Sequence, residues 1–531
     1  MRSFHVQTLH NLFLIYFIMK KNSLFDSAFF LLFIMSYHAG FSQQTTPINQ
    51  KVARIDSFVT SLANHHLFNG TLLVTEEGKV IYKKSSGYAD FGRGIPNTDT
   101  THFNLASLSK PFTAIAVLQL VQKGQLKLTD TFASYFPDFP YTAITIQHLL
   151  TQTSGIPVVE RYEEDYIKAH PKEIISTQKA YEHLVSLNKP LNFTAGNRWQ
   201  YNNANYFLLA LLVEKVSQTS FAYYMKKNIF TPAGMKKTYV RELSMANTSR
   251  YTLLNFYSPT YHNVDSLNPA EHYTYYHLGS LMGSNNIIST IEDLWHFDNA
   301  FSAGKLLSLA LMKTAFMPVV LNDGKPFRMG GSTRSYGLGW NVYTSKTEPA
   351  DTSIFHDGRI IGLTTFMHRN LTKNQTILFY DNTENNPIQV MVSISNLLNG
   401  TPALPIRLTK SLAKVYGEIL VNKGIDEAAT KFNELKNDST NYYVDELEMN
   451  RLGYDLLKAP FPNHNELSLE VFKINTLLYP KSGNTYDSYA QALAQSGKKE
   501  AAIAMYQKSI ALSPNNEDGK RALRVLLEQK E

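Results

Sequence analysis

Asn104-Leu105-Ala106-Ser107-Leu108-Ser109-Lys110-Pro111-Phe112-Thr113 runs directly into Ala114-Ile115-Ala116-Val117-Leu118-Gln119-Leu120-Val121. The first part reads as a polar entry and the second as a helix apolar on every side, which only a buried position supports. Ser107 and Lys110 fall in its first turn, three residues apart, so hydroxyl and amine share a face. There a lysine meets the positive end of the helix dipole and an apolar core, and both disfavour its charged form. An amine that gives up its proton readily can take one from a neighbouring serine, and a serine so activated is a nucleophile. The spacing alone is weak, because Ser176/Lys179, Ser186/Lys189, Ser302/Lys305, Ser411/Lys414 and Ser496/Lys499 repeat it. Only Ser107 opens a long, nearly uncharged helix.

The chain has 531 residues, room for a large catalytic unit and an appendage. Hydrophobic residues make up 44% and charged ones 18%, a globular balance. A net charge of +7 is mild for this length and no basic stripe stands out, so nucleic-acid binding is not expected. Cysteine is absent, which excludes disulfides, a thiol nucleophile, zinc-thiolate sites and lipid attachment through an N-terminal cysteine.

At the N-terminus, Met19-Lys20-Lys21-Asn22 precedes the apolar Ala28-Phe29-Phe30-Leu31-Leu32-Phe33-Ile34-Met35 and the small residues of Ala39-Gly40-Phe41-Ser42. This is the order of a secretory signal, so residues 1–42 read as a signal peptide, with Met19 as the true start and cleavage near Ser42. Its apolar core falls short of the about 20 residues a spanning helix needs, and no stable membrane anchor is expected. The rival reading is an uncleaved anchor that also uses the apolar stretch from Leu12 to Met19. Export implies a periplasmic or secreted bacterial protein.

A helix is predicted from Asn49 to His65, with Ile55, Phe58, Val59 and Leu62 on one face. Gly70–Thr75 and Lys79–Lys83 flank Glu76-Glu77-Gly78 as a hairpin. Residues 145–300 read as mostly helical, including a helix from Asn205 to Val216, and the aromatic-rich Tyr251–Tyr276 reads as a substrate-side loop. Strands are predicted at Tyr336–Val342, Ile354–His356, Leu363–His368 and Thr376–Tyr380, then a helix from Gln389 to Leu398. Strands at both ends with helices between them give one antiparallel sheet covered by a helical region, an α+β architecture in the broad α/β class. Thr401-Pro402-Ala403-Leu404-Pro405 marks a boundary. Beyond it the pattern is purely helical: Pro480 and Pro514 stand 34 residues apart, with Tyr486, Ala490, Gly497, Ala501, Ala502 and Tyr506 between them. That is the layout of a tetratricopeptide repeat, with looser units at 452–480 and 412–435; the alternative is a plain helical appendage.

An activated serine also needs a proton relay and donors for the substrate. Tyr201-Asn202-Asn203, just before the Asn205 helix, can provide them: a tyrosine near a cation has its phenolate favoured, and an asparagine amide both donates and accepts. A helix cap is the other use of Asn203. His356-Asp357-Gly358 at the end of a strand offers a donor and a glycine against which a substrate can lie.

Ser-x-x-Lys on a buried helix, Tyr-x-Asn about a hundred residues later and His-x-Gly in a C-terminal sheet together resemble the serine β-lactamase and penicillin-binding protein family, in its class C and esterase-like branch. Ile146–Gly155, Tyr201–Tyr206, Ile288–Leu294 and Tyr336–Trp340 add to the resemblance. It implies a β-lactamase/DD-peptidase-like domain over residues 50–400, followed by an all-α tetratricopeptide-like domain over 406–531. It also implies that Ser107 forms an acyl-enzyme, that Lys110 and Tyr201 share the acid and base roles, and that Asn203 binds the substrate amide. The backbone N–H groups of Ser107 and Arg359 would form the oxyanion hole beside His356 and Gly358, with no metal or organic cofactor. Relatives that act on β-lactams or carboxypeptidase substrates usually carry Lys-Thr-Gly where this chain has His356-Asp357-Gly358. Losing that fixed charge favours small-molecule esters, amides or D-amino-acid peptides as substrates over efficient β-lactam turnover. The other reading is a penicillin-binding-like sensor or scaffold with little turnover, working through repeats that bind a protein partner.

Overall fold

The computed structural model describes residues 47–90, 94–158, 166, 170, 175–241, 255–257, 264–266, 281–346, 350–360, 363–383, 387–459 and 462–528. The segment 1–42 read as a signal, and most of Tyr251–Tyr276, lie outside these. Of the latter stretch, Asn255–Tyr257 pairs antiparallel with Val264–Ser266. The chain divides into two compact units, Met1–Lys51 and Val52–Glu531. In the first, the described residues start a helix in which Lys51 N–H donates to Pro47 O at 3.1 Å. Apart from the first turn of that helix, everything that follows concerns the second.

The elements that build the site are, in chain order, helix α1 (Ile48–Asn64), strands β1 (Gly70–Glu76), β2 (Lys79–Ser86) and β3 (Phe103–Asn104), helices α2 (Ser109–Gln122) and α3 (Ala204–Ser217), strands β4 (Tyr239–Val240) and β5 (Ile287–Ser289), helix α4 (Ile291–Ser302), strands β6 (Arg334–Tyr336), β7 (Asn341–Thr344), β8 (Thr352–Ile360), β9 (Leu363–Asn370) and β10 (Gln375–Asp381), and helix α5 (Pro387–Leu398). A seven-stranded antiparallel sheet has the order β6-β7-β8-β9-β10-β1-β2. Strands from the two ends of the domain meet in it, with Leu72 opposite Phe379 and Leu73 opposite Leu378.

Alternation along the strands sends side chains to two cores. Leu72, Val74, Phe366, Ile377 and Phe379 pack with Ile55, Val59 and Leu62 of α1 and with Ile394 and Leu398 of α5. Leu73, Ile354, Met367 and Leu378 face the larger core, which holds α2 and α3. Every residue from Ser109 to Leu120 is buried, as the uncharged sequence predicts. Phe112 stacks on Phe297 of α4 with centroids 4.1 Å apart. Burying a side chain of that size stabilises by roughly 1.5–3 kcal/mol. Helix α4 is tied to the sheet by a buried ion pair, Arg369 Nη1 to Asp298 Oδ2 at 2.7 Å.

Two sequence-based boundaries are corrected. Tyr336–Val342 is not one strand but a reversal between β6 and β7, in which Gly339 has φ +88° and Gly337 N–H donates to Trp340 O at 2.8 Å. A Cβ on Gly339 would lie 2.4 Å from Ala114 Cβ, so the reversal is what lets the chain pass against α2. His356 does not end its strand but stands at the centre of the nine-residue β8.

Beyond Gly400, helices α6 (Leu412–Lys423), α7 (Ile425–Leu435), α8 (Glu446–Leu457), α9 (His464–Leu478), α10 (Gly483–Gln495), α11 (Lys499–Leu512) and α12 (Glu517–Glu528) follow one another. Leu412, Tyr416, Phe432, Met449, Leu452 and Val471 form a core of their own. No described helix is long and apolar enough to cross a membrane.

Candidate active site

Ser107 sits in a 3-10 turn, Ala106–Leu108, just ahead of α2, and Lys110 in the first turn of the helix itself. The turn is fixed by Leu105 N–H donating to Ile287 O of β5 at 2.8 Å and by Thr365 Oγ1 of β9 donating to Leu105 O at 2.8 Å. Ala106 has φ +46°, a left-handed conformation that costs a residue with a Cβ about 1–3 kcal/mol. Its N–H donates to Asn104 Oδ1 at 2.8 Å and its surroundings are fully packed, which holds the strained turn in place.

Lys110 is buried, and its Nζ donates to Ser107 Oγ at 3.0 Å, Asn203 Oδ1 at 2.7 Å and Ser284 O at 3.0 Å. Tyr201, 36% exposed, donates from Oη to the same Ser107 Oγ at 2.7 Å. Lys110 Nζ lies 4.8 Å from the centroid of the Tyr201 ring, a cation–π distance. One hydroxyl is thus bracketed by an amine and a phenol, with an amide completing the cluster.

The segment carrying Tyr201 and Asn203 is held by buried polar side chains. Gln152, at φ +63°, accepts at Oε1 from Asn202 N–H at 2.9 Å and from Asn205 Nδ2 at 2.6 Å. Ser154 Oγ donates to Asn205 Oδ1 at 2.6 Å. Asn203 occupies the cap position of α3 but makes no side-chain cap bond. Asn202 does the capping, its Oδ1 accepting from Ala204 N–H at 2.9 Å, which leaves the Asn203 amide for Lys110.

β7 pairs with β8 only as far as Phe355, opposite Asn341. From His356 onward that edge of β8 has no strand partner among the described residues, and it runs past the Ser107 turn instead. The approach is close: a Cβ on Gly358 would lie 2.0 Å from Leu105 O. Arg359, the next residue, is therefore brought to the same turn, with its side chain outward and its Nε 3.7 Å from Asp357 Oδ2. His356 is buried, with Nδ1 2.7 Å from Asp357 O and Nε2 3.3 Å from the Tyr336 hydroxyl. Burial pushes its pKa down to about 4, Asp357 opposing and the Lys110 charge adding to the fall, so the ring is neutral at pH 7.

Ser107, Lys110, Tyr201 and Asn203 are thus joined by direct hydrogen bonds, and His356, Gly358 and Arg359 border them on β8. Two of the other Ser-x-x-Lys pairs serve local structure: Ser176 and Ser411 cap helices by accepting from the N–H of Lys179 and Lys414, at 3.1 and 3.3 Å. Sequence reasoning missed Gln152, Tyr336 and the Ser284 carbonyl. The one signal for the last is Gly283, at φ +86°, where a Cβ would lie 2.3 Å from Tyr206 O. Among the described residues, no group of three or more His, Cys, Asp or Glu is placed to hold a metal ion.

A family model described as Beta-lactamase matches residues 55–392, which include every residue of this cluster. Penicillin-binding protein 4* of Bacillus subtilis (strain 168) is 34% identical over 339 residues, covering 63% of this chain and 72% of that protein. The crystal structure of a penicillin-binding protein from Bacillus halodurans matches with a TM-score of 0.53 at 25% identity, over 64% of this chain and 98% of that one. The D-amino acid amidase of Ochrobactrum anthropi SV3 shares the fold, with a TM-score of 0.52 at 20% identity over 66% of this chain and 98% of that one. On this match and the fold that carries it, the chain belongs to the β-lactamase and penicillin-binding protein-like family of serine hydrolases.

Proposed function

We propose that this protein is an exported serine acyl hydrolase of the class C and esterase-like branch, working through an acyl-enzyme on Ser107. The observation that carries the reading is that Ser107 Oγ lies within hydrogen-bond reach of both Lys110 Nζ (3.0 Å) and Tyr201 Oη (2.7 Å), although Tyr201 is 94 residues away. Lys110 donates to three acceptors, the pattern of an ammonium. In that state its charge favours loss of the Tyr201 proton to solvent, and the phenolate so formed is placed to take the serine proton. Ser107 Oγ bonds to the acyl carbon, the carbon–leaving-group bond breaks, and Tyr201 returns the proton to the departing atom. Water then hydrolyses the ester on Ser107 by the reverse relay. The N–H groups of Ser107 and Arg359 hold the oxyanion, Asn203 takes the substrate amide, and Gly358 lets the substrate lie against β8.

The neutral His356 gives no fixed charge with which to grip a carboxylate. This favours esters, or amides and peptides of D-amino acids, over efficient β-lactam turnover; the amidase of similar fold adds D-amino acid amides to the substrates worth screening. In this reading residues 1–42 are removed on export to the periplasm or outside, and residues 406–531 are tetratricopeptide-like repeats that bind a protein partner. The test is turnover of a panel of short-chain esters, D-amino acid amides, D-Ala-D-Ala peptides and a cephalosporin, with Ser107→Ala as control. We expect hydrolysis of esters or D-amides that the variant lacks. Turnover surviving Ser107→Ala contradicts the reading, and labelling by fluorescent penicillin without turnover of any substrate favours a sensor.

A further inference from the structure

We infer that the half-exposed rings of Trp199 and Phe327 form a subsite for a flat apolar leaving group, such as an aryl or arylmethyl alcohol or amine. The inference rests on the acyl-hydrolase reading of the site. Trp199 and Phe327 stack nearly parallel, with centroids 5.0 Å apart and planes 12° from each other. The Trp199 ring lies 6.5 Å from that of Tyr201 and 5.8 Å from that of Tyr336, whose hydroxyl meets His356. A continuous aromatic wall therefore runs from the candidate active site outward. Its inner member, Tyr336, is fully buried, and its outer pair keeps open surface.

The wall is firmly held. Phe327 N–H donates to Val319 O at 2.8 Å, and Val319 N–H donates to Tyr336 O at 2.8 Å, which joins the 319–327 turn to the sheet. Asn322 grips the other side, its N–H donating to Gly196 O at 3.0 Å and its Nδ2 to Ala195 O at 2.9 Å and Asn197 Oδ1 at 2.7 Å. Rings so fixed can stack on a ligand without first losing rotamer freedom.

Which part of a substrate meets them follows from the order of side chains. Trp199 precedes Tyr201 in the chain and Asn203 follows it, at the mouth of α3. Asn203 is bonded to Lys110, whereas the Trp199 ring lies beside that of Tyr201, the group assigned to the leaving atom. Tyr201 must touch the leaving atom to protonate it. With the acyl part beside Asn203, the leaving group extends toward Trp199. Neither outer ring is charged, and the neighbouring cation Arg198 lies over the Phe193 ring at 5.7 Å, so the surface selects for apolar area.

The test uses acetate esters of two alcohols of nearly equal acidity, ethyl and benzyl, and a second pair differing on the acyl side, ethyl acetate and ethyl phenylacetate. We expect wild type to favour benzyl over ethyl acetate by about tenfold in kcat/KM. In Trp199→Leu and Phe327→Leu that ratio falls toward one while the acyl-side ratio holds. Both are ratios within a single preparation, so partial loss of folded protein does not move them. A wild-type ratio near one, a ratio that survives both substitutions, or a collapse of the acyl-side ratio instead overturns the subsite alone. Hydrolysis of none of the three esters overturns the subsite; if the D-amino acid amides and peptides are also untouched, the acyl-hydrolase reading falls with it.

Discussion

At the scale of single residues, the account turns on how one oxygen is approached. Lys110 reaches Ser107 from inside the core and Tyr201 from the solvent side, and they differ in what their loss removes. Tyr201→Phe keeps the ring and its packing but deletes the hydroxyl placed to carry a proton outward. We expect kcat on an ester to fall about 10²- to 10⁴-fold with KM little changed, measured by steady-state hydrolysis. Gly358→Ala puts a methyl 2.0 Å from a backbone carbonyl that is itself pinned by Thr365, so β8 must move off the Ser107 turn. A kcat loss of at least about tenfold is expected, with circular dichroism unchanged, because about 1 Å of misplacement is enough to upset an oxyanion site. The grouping of Ser107, Lys110, Tyr201 and Asn203 was legible in the sequence because Ser-x-x-Lys opens a nearly uncharged helix and Tyr-x-Asn follows about a hundred residues later, an order that resembles the family's. Gln152 and Ser284 were not. One contributes a buried amide and the other a main-chain carbonyl, which every residue type has.

At the scale of elements, α2 and α3 were predicted because each is a long apolar run with almost no charge, and the β1–β2 hairpin because Glu76-Glu77-Gly78 punctuates two strand-forming runs. Hydrophobic patterning failed at Tyr336–Val342, where alternating large residues mimic a strand while the glycines fold it back. The left-handed Gly339 is packed against α2 and Gly337 against the Ala315 carbonyl, partners distant in sequence. Gly339→Ala tests this: with φ +88° and Ala114 Cβ 2.4 Å away, it should destabilise the protein by about 2–4 kcal/mol in urea unfolding. His356 was misplaced for a related reason. Asp357-Gly358 looks like a turn, yet β9 continues to pair along β8 as far as Ile360 opposite Leu363.

At the scale of the whole molecule, buried imidazoles set the response to acid. His368 faces the α1–α5 core with no partner for Nδ1 among the described residues, and burial pushes its pKa down to about 4 from an ordinary 6.5. The unfolded chain therefore takes up a proton first as pH falls, so stability is full above about 6.5 and drains toward pH 4, by at most about 3 kcal/mol for this group. Asp381, raised to about 6 by burial, acts in the opposite sense between pH 6 and 4. The loss of melting temperature between pH 7 and 4.5 should thus be smaller in His368→Leu than in wild type, each normalised to its own pH 7 value. The helical tail has its own core, whereas Ala403 and Ile406 still pack on the α1–α5 core. We propose a functional boundary just beyond them, and a chain ending at Leu408 should keep ester turnover within about threefold of the full chain.

The central claim is that Ser107 becomes acylated, and the most direct measurement is to treat the folded protein with a fluorophosphonate and locate the adduct by peptide mass spectrometry. The account predicts one adduct, on Ser107, formed at least about a hundredfold more slowly in Tyr201→Phe and absent in Ser107→Ala. An unmodified wild type, or an adduct on Ser109 or any other side chain, would contradict it.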